Sequence, residues 1–110
     1  MCGIAGLVRF EGLYPDEREL GATMAATLRH RGPDDIGGFH DHWASLGHAR
    51  LSIIDLDNGR QPMSNEDGRI WVTFNGEIYN HHELAADLRA RGHQLRTRCD
   101  TEVLVHLYED

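Results

Sequence analysis

The chain has 110 residues, 40% of them hydrophobic and 26% charged, with a formal net charge of -7. Such a composition fits one folded domain with a limited core, and its charge argues against general attraction to nucleic acid or anionic membranes. No apolar run approaches the roughly 18 residues of a membrane helix, and the N-terminus lacks the basic-then-apolar pattern of a secretory signal.

Ile4 to Phe10 is short, apolar and interrupted by glycine, and reads as a buried strand. Pro15-Asp16-Glu17-Arg18-Glu19 opens a helix, with Asp16 as its cap and Glu19 at capping-box spacing. Leu20, Met24 and Leu28 recur every four residues as its apolar face, and Arg31-Gly32-Pro33 ends the pattern. Ile36 to Phe39 and Trp43 to Ile54 read as strands around a turn at Asp41. Asp57-Asn58-Gly59 and Asn65-Glu66-Asp67-Gly68 are turn clusters, and Ile70 to Phe74 alternates as a strand. Asn80 caps a second helix with Leu84 and Leu88 on one face, which Gly92 stops. A third helical pattern starts near Thr101, with Val103, Leu104, Leu107 and Tyr108, and runs to Asp110 without a stop signal. This is expected of the front part of a longer chain. The mixture of strands and helices favours a layered α+β fold.

Cys2 follows the initiator methionine. If Met1 is removed, Cys2 carries both a thiol nucleophile and a free α-amine able to act as its base. With Cys99 it could form one disulfide, but two cysteines make no framework, and reduced thiols in the cytoplasm are the expectation. Asn75-Gly76 suits a hairpin turn. It also suits an oxyanion site, in which an Asn side-chain N–H and a Gly main-chain N–H converge on one oxygen. Arg50 lies among aliphatic residues and either keeps its head in water or binds an anion, a carboxylate above all. Asp100 is expected to cap the third helix, and the same position suits a ligand ammonium group, the two roles not being exclusive. His40-Asp41-His42 and His81-His82 raise the question of a metal, but they lack the spacing of helical zinc sites, and no metal site is expected. His30 is expected to brace the Arg31-Gly32-Pro33-Asp34 turn, and Arg89, Arg91, Arg96 and Arg98 read as a solvated basic cluster.

Met1-Cys2-Gly3-Ile4-Ala5-Gly6, Arg29-His30-Arg31-Gly32-Pro33-Asp34, Arg50-Leu51-Ser52-Ile53-Ile54-Asp55-Leu56, Gln61-Pro62-Met63, Asn75-Gly76-Glu77-Ile78-Tyr79-Asn80 and Asp100-Thr101-Glu102 occur in this order. Together they resemble the glutaminase domain of glutamine-hydrolysing asparagine synthetases, a class II glutamine amidotransferase and N-terminal-nucleophile hydrolase. The Cys-Gly-Ile start is shared by several amidotransferase families, whereas the second, third and fifth segments are specific to the asparagine synthetase branch.

The resemblance implies an αββα sandwich, incomplete at the C-terminus, over residues 1–110, with the synthetase domain absent. It implies Cys2 as nucleophile, Asn75 and Gly76 as oxyanion hole, and Arg50 on the glutamine α-carboxylate. Asp100 would hold the α-amine with Glu77 and the Gly76 main chain, and Leu51, Ser52, Ile53 and Ile54 would line the pocket. It implies no metal or cofactor in this segment, ATP and Mg belonging to the missing synthetase domain. The partners implied are L-glutamine, that domain in cis and a second copy in a homodimer. An amidotransferase acting on another carboxylate, and a non-catalytic glutamine-binding module, are the alternatives. Cys99 departs from the family, which often has Ser before Asp-Thr-Glu.

Overall fold

The computed structural model describes residues 2–51 and 59–110. It is a mixed α/β structure with antiparallel sheets. Strands β1 (Gly3–Val8), β2 (Asp35–His40) and β3 (Ala44–Arg50) form one sheet in the order β1-β3-β2. Strands β4 (Met63–Ser64) and β5 (Trp71–Val72) pair separately. Helices α1 (Leu20–Ala26), α2 (His81–Ala90) and α3 (Glu102–Glu109) complete the described elements.

Register decides which side chains share a face. Gly3 pairs with Ala49, Ala5 with Gly47 and Leu7 with Ser45, so these residues form one face of the sheet. Helix α1 lies on it. A Cβ placed on Gly47 would sit 1.9 Å from the Gly21 carbonyl oxygen, and one on Gly21 would sit 2.5 Å from the Leu46 carbonyl carbon. The two backbones therefore touch directly, and glycine on both sides is what permits it. Ser45 Oγ accepts the Gly21 N–H at 2.8 Å and donates to the Arg18 carbonyl at 2.8 Å, fixing the helix's entry.

This changes the expected face of α1. Gly21 and Ala25 are its buried residues, while Leu20, Met24 and Leu28 are half-buried beside the contact line. The large residues cannot lie along a line where the backbones are in contact. The helix also begins later than expected: Pro15–Glu17 is an isolated 3-10 turn. Neither Asp16 nor Glu19 caps it. Glu17 accepts the Tyr14 N–H at 2.8 Å and binds Arg9 at 2.7 Å, joining the turn to the end of β1.

The other sheet face carries Ile4, His48, Gly37 and Phe39. The 61–73 segment packs on its β2–β3 side. Phe39 stacks on Trp71 with ring centroids 3.8 Å apart, and a Cβ on Gly37 would meet the Gln61 carbonyl oxygen at 1.8 Å. On the β1 side, Ile4 and Val8 are 48% and 58% exposed.

The turns follow the sequence. Asp41 Oδ1 accepts the Trp43 and Ala44 N–H groups, and Asn65 Oδ1 accepts those of Arg69 and Ile70. Gly68 takes a positive φ of 74°. Gly92, at φ 99°, ends α2: its N–H bonds to the Arg89 carbonyl and that of His93 to the Leu88 carbonyl, a Schellman closure. Asn80 stands at the start of α2 but makes no side-chain cap bond. The expected strand over Ile70 to Phe74 is ordered into the ladder only at Trp71–Val72. The expected strand from Trp43 ends at Arg50 among the described residues, and its portion over 52–54 lies outside them, as do Asp57 and Asn58 of the first turn cluster.

Ala85, Leu88 and Val103 make a second core between α2 and α3, edged by Ile78, Leu84 and Leu95. Helix α3 buries Val103 and Val105 together with Glu102 and His106, while Leu107 and Tyr108 are exposed. Glu102 is tolerated inside because four donors meet it. These are the Arg96 N–H at 2.8 Å, the Thr97 N–H at 2.7 Å, the Thr97 hydroxyl at 2.6 Å and His106 Nε2 at 3.0 Å. Burial disfavours its charge, but the Thr97, His106 and Arg96 donors outweigh this and hold the carboxyl below its ordinary range.

Candidate active site

Extending the β1–β3 register by one residue sets Cys2 across from Arg50, on the sheet face opposite α1. The half-buried Cys2 sulfur accepts the Leu51 N–H at 3.3 Å. Its carbonyl accepts Arg31 Nε at 3.3 Å. Arg31 belongs to the turn that was expected to be braced by His30. His30 is exposed, and the bracing comes from its neighbours. The Asp34 N–H binds the Arg50 carbonyl at 2.9 Å. A Cβ on Gly32 would lie 2.1 Å from the Ala49 oxygen, so only glycine lets this turn close on the strand. The Arg31–Asp34 segment thus holds both strand ends that carry Cys2 and Arg50.

Arg50 is buried at 8% exposure and pairs across the ladder with Asp35. Two residues earlier on the same face is His48, fully buried. Burial, reinforced by the Arg50 charge and opposed by Asp35, lowers its pKa from 6.5 to about 4, so it is neutral at pH 7. His48 Nδ1 lies 2.8 Å from Thr73 Oγ1, and that hydroxyl donates to the Gly47 carbonyl at 3.3 Å. The hydroxyl proton is thus committed to Gly47, which makes His48 Nδ1 the donor and leaves Nε2 as the acceptor nitrogen.

Thr73 leads into the loop that carries Asn75 and Gly76. The chain bends at Gly76 and forms no hairpin there, consistent with the departure from strand alternation after it. Asn75, Gly76 and Glu77 are exposed. A Cβ on Gly76 would meet the Phe74 ring at 2.7 Å. Buried Gln61 secures the loop's base: its Oε1 accepts the Phe74 N–H at 2.7 Å and its Nε2 donates to Thr101 Oγ1 at 3.2 Å.

Asp100 does not cap α3, whose first position follows Thr101 with no side-chain cap bond. Its Oδ2 instead accepts the Ile78 N–H at 3.0 Å. The carboxylate is therefore turned toward the Asn75–Ile78 loop, because that loop offers an N–H and crosses the helix start. Among the site residues drawn from the sequence, two groups come together: Cys2 with Arg50 and Leu51, and Asp100 with the loop through Ile78 and Gln61. The His48–Thr73 contact ties one to the other. Ser52, Ile53 and Ile54 lie outside the described residues. Sequence reading had passed over His48, Arg31 and Gln61, although each stands inside or beside one of the six ordered segments. Two surface concavities, one lined by Arg18, Phe39 and Leu46 and one by His81, Arg89 and Cys99, contain none of the site residues expected from the sequence.

A family model described as a glutamine amidotransferase domain matches residues 1–110. The chain belongs to the glutamine amidotransferase domain family. Its similarity to named members of this family is strong and runs end to end. Asparagine synthetase [glutamine-hydrolyzing] 1 of Bacillus subtilis (strain 168) is 47% identical over 110 residues, covering 98% of this chain and 17% of that protein. The probable asparagine synthetase [glutamine-hydrolyzing] of Dictyostelium discoideum is 44% identical over 111 residues, with 100% and 20% covered. The asparagine synthetase [glutamine-hydrolyzing] of Zea mays is 45% identical over 111 residues, with 100% and 18% covered. The chain thus spans a fifth or less of the length of these relatives. No helix among the described residues is long and apolar enough to cross a membrane.

Proposed function

We propose that this chain is the first part of an N-terminal-nucleophile glutaminase that supplies ammonia for ATP-dependent asparagine synthesis from aspartate in a longer parent protein. The observation that carries the reading is the placement of the Cys2 sulfur on the Leu51 N–H, at a strand end facing Arg50, in a chain of the glutamine amidotransferase family. The names of its relatives supply the acceptor chemistry.

In this reading, Met1 is removed and the Cys2 amine takes the thiol proton. The thiolate attacks the side-chain amide carbon of glutamine, forming a C–S bond and a tetrahedral oxyanion. Asn75 Nδ2–H and the Gly76 N–H donate to that oxygen, each donor contributing about 2.7–4 kcal/mol to the transition state. The amine returns the proton to the leaving nitrogen as the C–N bond breaks, releasing ammonia and leaving a thioester. Water then hydrolyses the thioester to glutamate and restores the thiol. Arg50 pairs bidentately with the glutamine α-carboxylate. Asp100, Glu77 and the Gly76 carbonyl hold its ammonium group, and Leu51 to Ile54 line the pocket. Bracketing both charges selects the free amino acid over glutamine within a peptide.

The fold is then the front of an αββα sandwich. The exposed Ile4 and Val8 side of the sheet is suited to cover by further strands of the parent. ATP and Mg belong to the synthetase domain in cis, and the protein works in the cytoplasm, with a homodimer as the proposed assembly. The full-length parent should release ammonia and glutamate from glutamine. Cys2→Ala should abolish that release while asparagine formation from added ammonia persists. Undiminished glutamine hydrolysis by the variant refutes the proposal, and full activity with Met1 retained, read by N-terminal mass spectrometry, refutes the role of the amine.

A further inference from the structure

Away from the glutamine site, four side chains from three separate segments meet between the 65–68 turn, the end of α2 and the last turns of α3. Glu66, His93, His106 and Glu109 each offer one donor atom, and these atoms lie within 4.8 Å of one another. His106 is 1% exposed. Its Nε2 carries a proton, because it faces the Glu102 carboxylate at 3.0 Å and a carboxylate only accepts. When the ring is neutral, its Nδ1 presents a lone pair. That atom is buried, forms no hydrogen bond among the described residues, and lies 2.8 Å from Glu66 Oε1. In the neutral ring two lone pairs face each other there, and either a second ring proton or a metal ion relieves their repulsion.

His93 repeats the arrangement. Its Nε2 faces Asp110 Oδ1 at 3.3 Å, and Asp110 is itself held by Arg91. Its Nδ1 turns to Glu66 Oε2 at 3.4 Å and Glu109 Oε2 at 3.7 Å. The two carboxylates are positioned in turn: Glu66 accepts the Gln94 N–H at 3.2 Å, and Glu109 accepts Asn65 Nδ2 at 3.1 Å. Each of the four donors thus has its own outer partner, which is how metal ligands are oriented in proteins.

We propose that Glu66, His93, His106 and Glu109 form a closed four-donor site for a divalent transition-metal ion of the zinc class. Two imidazoles and two carboxylates match the donor preference of Zn2+, and their charges neutralise it. Bonds of about 2.0–2.1 Å give a tetrahedral edge of about 3.3 Å, so a donor pair at the 4.8 Å limit closes by about 1.5 Å and the 2.8 Å His106–Glu66 pair opens by about 0.5 Å on binding. With no position left for water or substrate, the ion acts as a clasp that fastens the 65–68 turn and the α2 terminus to α3. Sequence reading missed the cluster because its histidines are 13 positions apart and Glu66 stands 27 positions before the first of them.

The test uses the full-length parent, stripped with chelator and titrated with Zn2+ and with Co2+ alone. One high-affinity equivalent should bind here, raise the thermal midpoint and give the visible bands of four-coordinate Co2+ without a thiolate charge-transfer band. His93→Gln and Glu109→Gln, partly exposed positions that should fold, should each weaken this equivalent at least tenfold. Asp110→Asn should weaken it by about 10–100-fold through its outer contact. His81→Gln should leave it unchanged. Binding that survives His93→Gln and Glu109→Gln, a thiolate band assigning the ion to Cys2, or no stoichiometric binding overturns the proposal.

Discussion

Acidification should loosen the sheet at His48 before it protonates most carboxylates. The ring is fully buried beside Arg50, and its pKa falls from 6.5 to about 4. In the unfolded chain it regains its ordinary value, so between these limits the unfolded state binds the extra proton. Stability therefore rises with pH across this window, is complete above about pH 6.5, and is lost as pH falls toward 4. A difference of this size corresponds to about 3 kcal/mol. Amide hydrogen exchange of peptides covering Ala44–Arg50, corrected for intrinsic rates, should show the opening free energy falling by about that amount between pH 7 and pH 4. His48→Gln should remove the slope in that window. The ring's own titration by NMR, with the proton on Nδ1 at neutral pH, provides the direct check. A midpoint near 6.5, or an unchanged slope in His48→Gln, would refute the reasoning.

Two further substitutions test the architecture around the site. Gly47→Ala forces a methyl group into the Gly21 carbonyl, 1.9 Å from its Cβ position. Overpacking of this kind costs about 1–3 kcal/mol or more, so the thermal midpoint should drop, and an unchanged midpoint would show that α1 does not lie in backbone contact with β3. Gln61→Ala removes both bonds that join Phe74 to Thr101. In the proposed reading Gln61 positions the loop and is not among the glutamine contacts, so KM for glutamine in the full-length parent should rise by about tenfold or more with the ammonia-dependent reaction intact; normal glutamine kinetics would show that the loop is held by other contacts.

The ordered segments reveal the family, and residue type supplies the chemistry open to Cys2, Arg50, Asn75-Gly76 and Asp100, because thiol, guanidinium, amide and carboxylate are legible without a fold. Local signals also carry through: Asp41 and Asn65 make their turns with their own side chains, and Gly92 ends α2 through its positive φ. Other readings fail where a distant partner outbids a local preference. Asp100 gives up its expected cap because the Ile78 N–H is in reach, and the long apolar residues of α1 yield its contact line to Gly21 and Ala25.

What the sequence determines by itself is therefore the list of reactive groups, most element locations and the family. Only the tertiary structure decides which groups meet. Antiparallel register brings Cys2 opposite Arg50 across 48 positions of chain, and Gln61 joins Phe74 to Thr101, which lie 27 positions apart. The same is true of the Glu66–His93–His106–Glu109 cluster, whose donors converge only after three segments have packed. Spacing along a chain reports local geometry over a helical turn or a strand, whereas convergence of remote side chains depends on backbone pairing and burial.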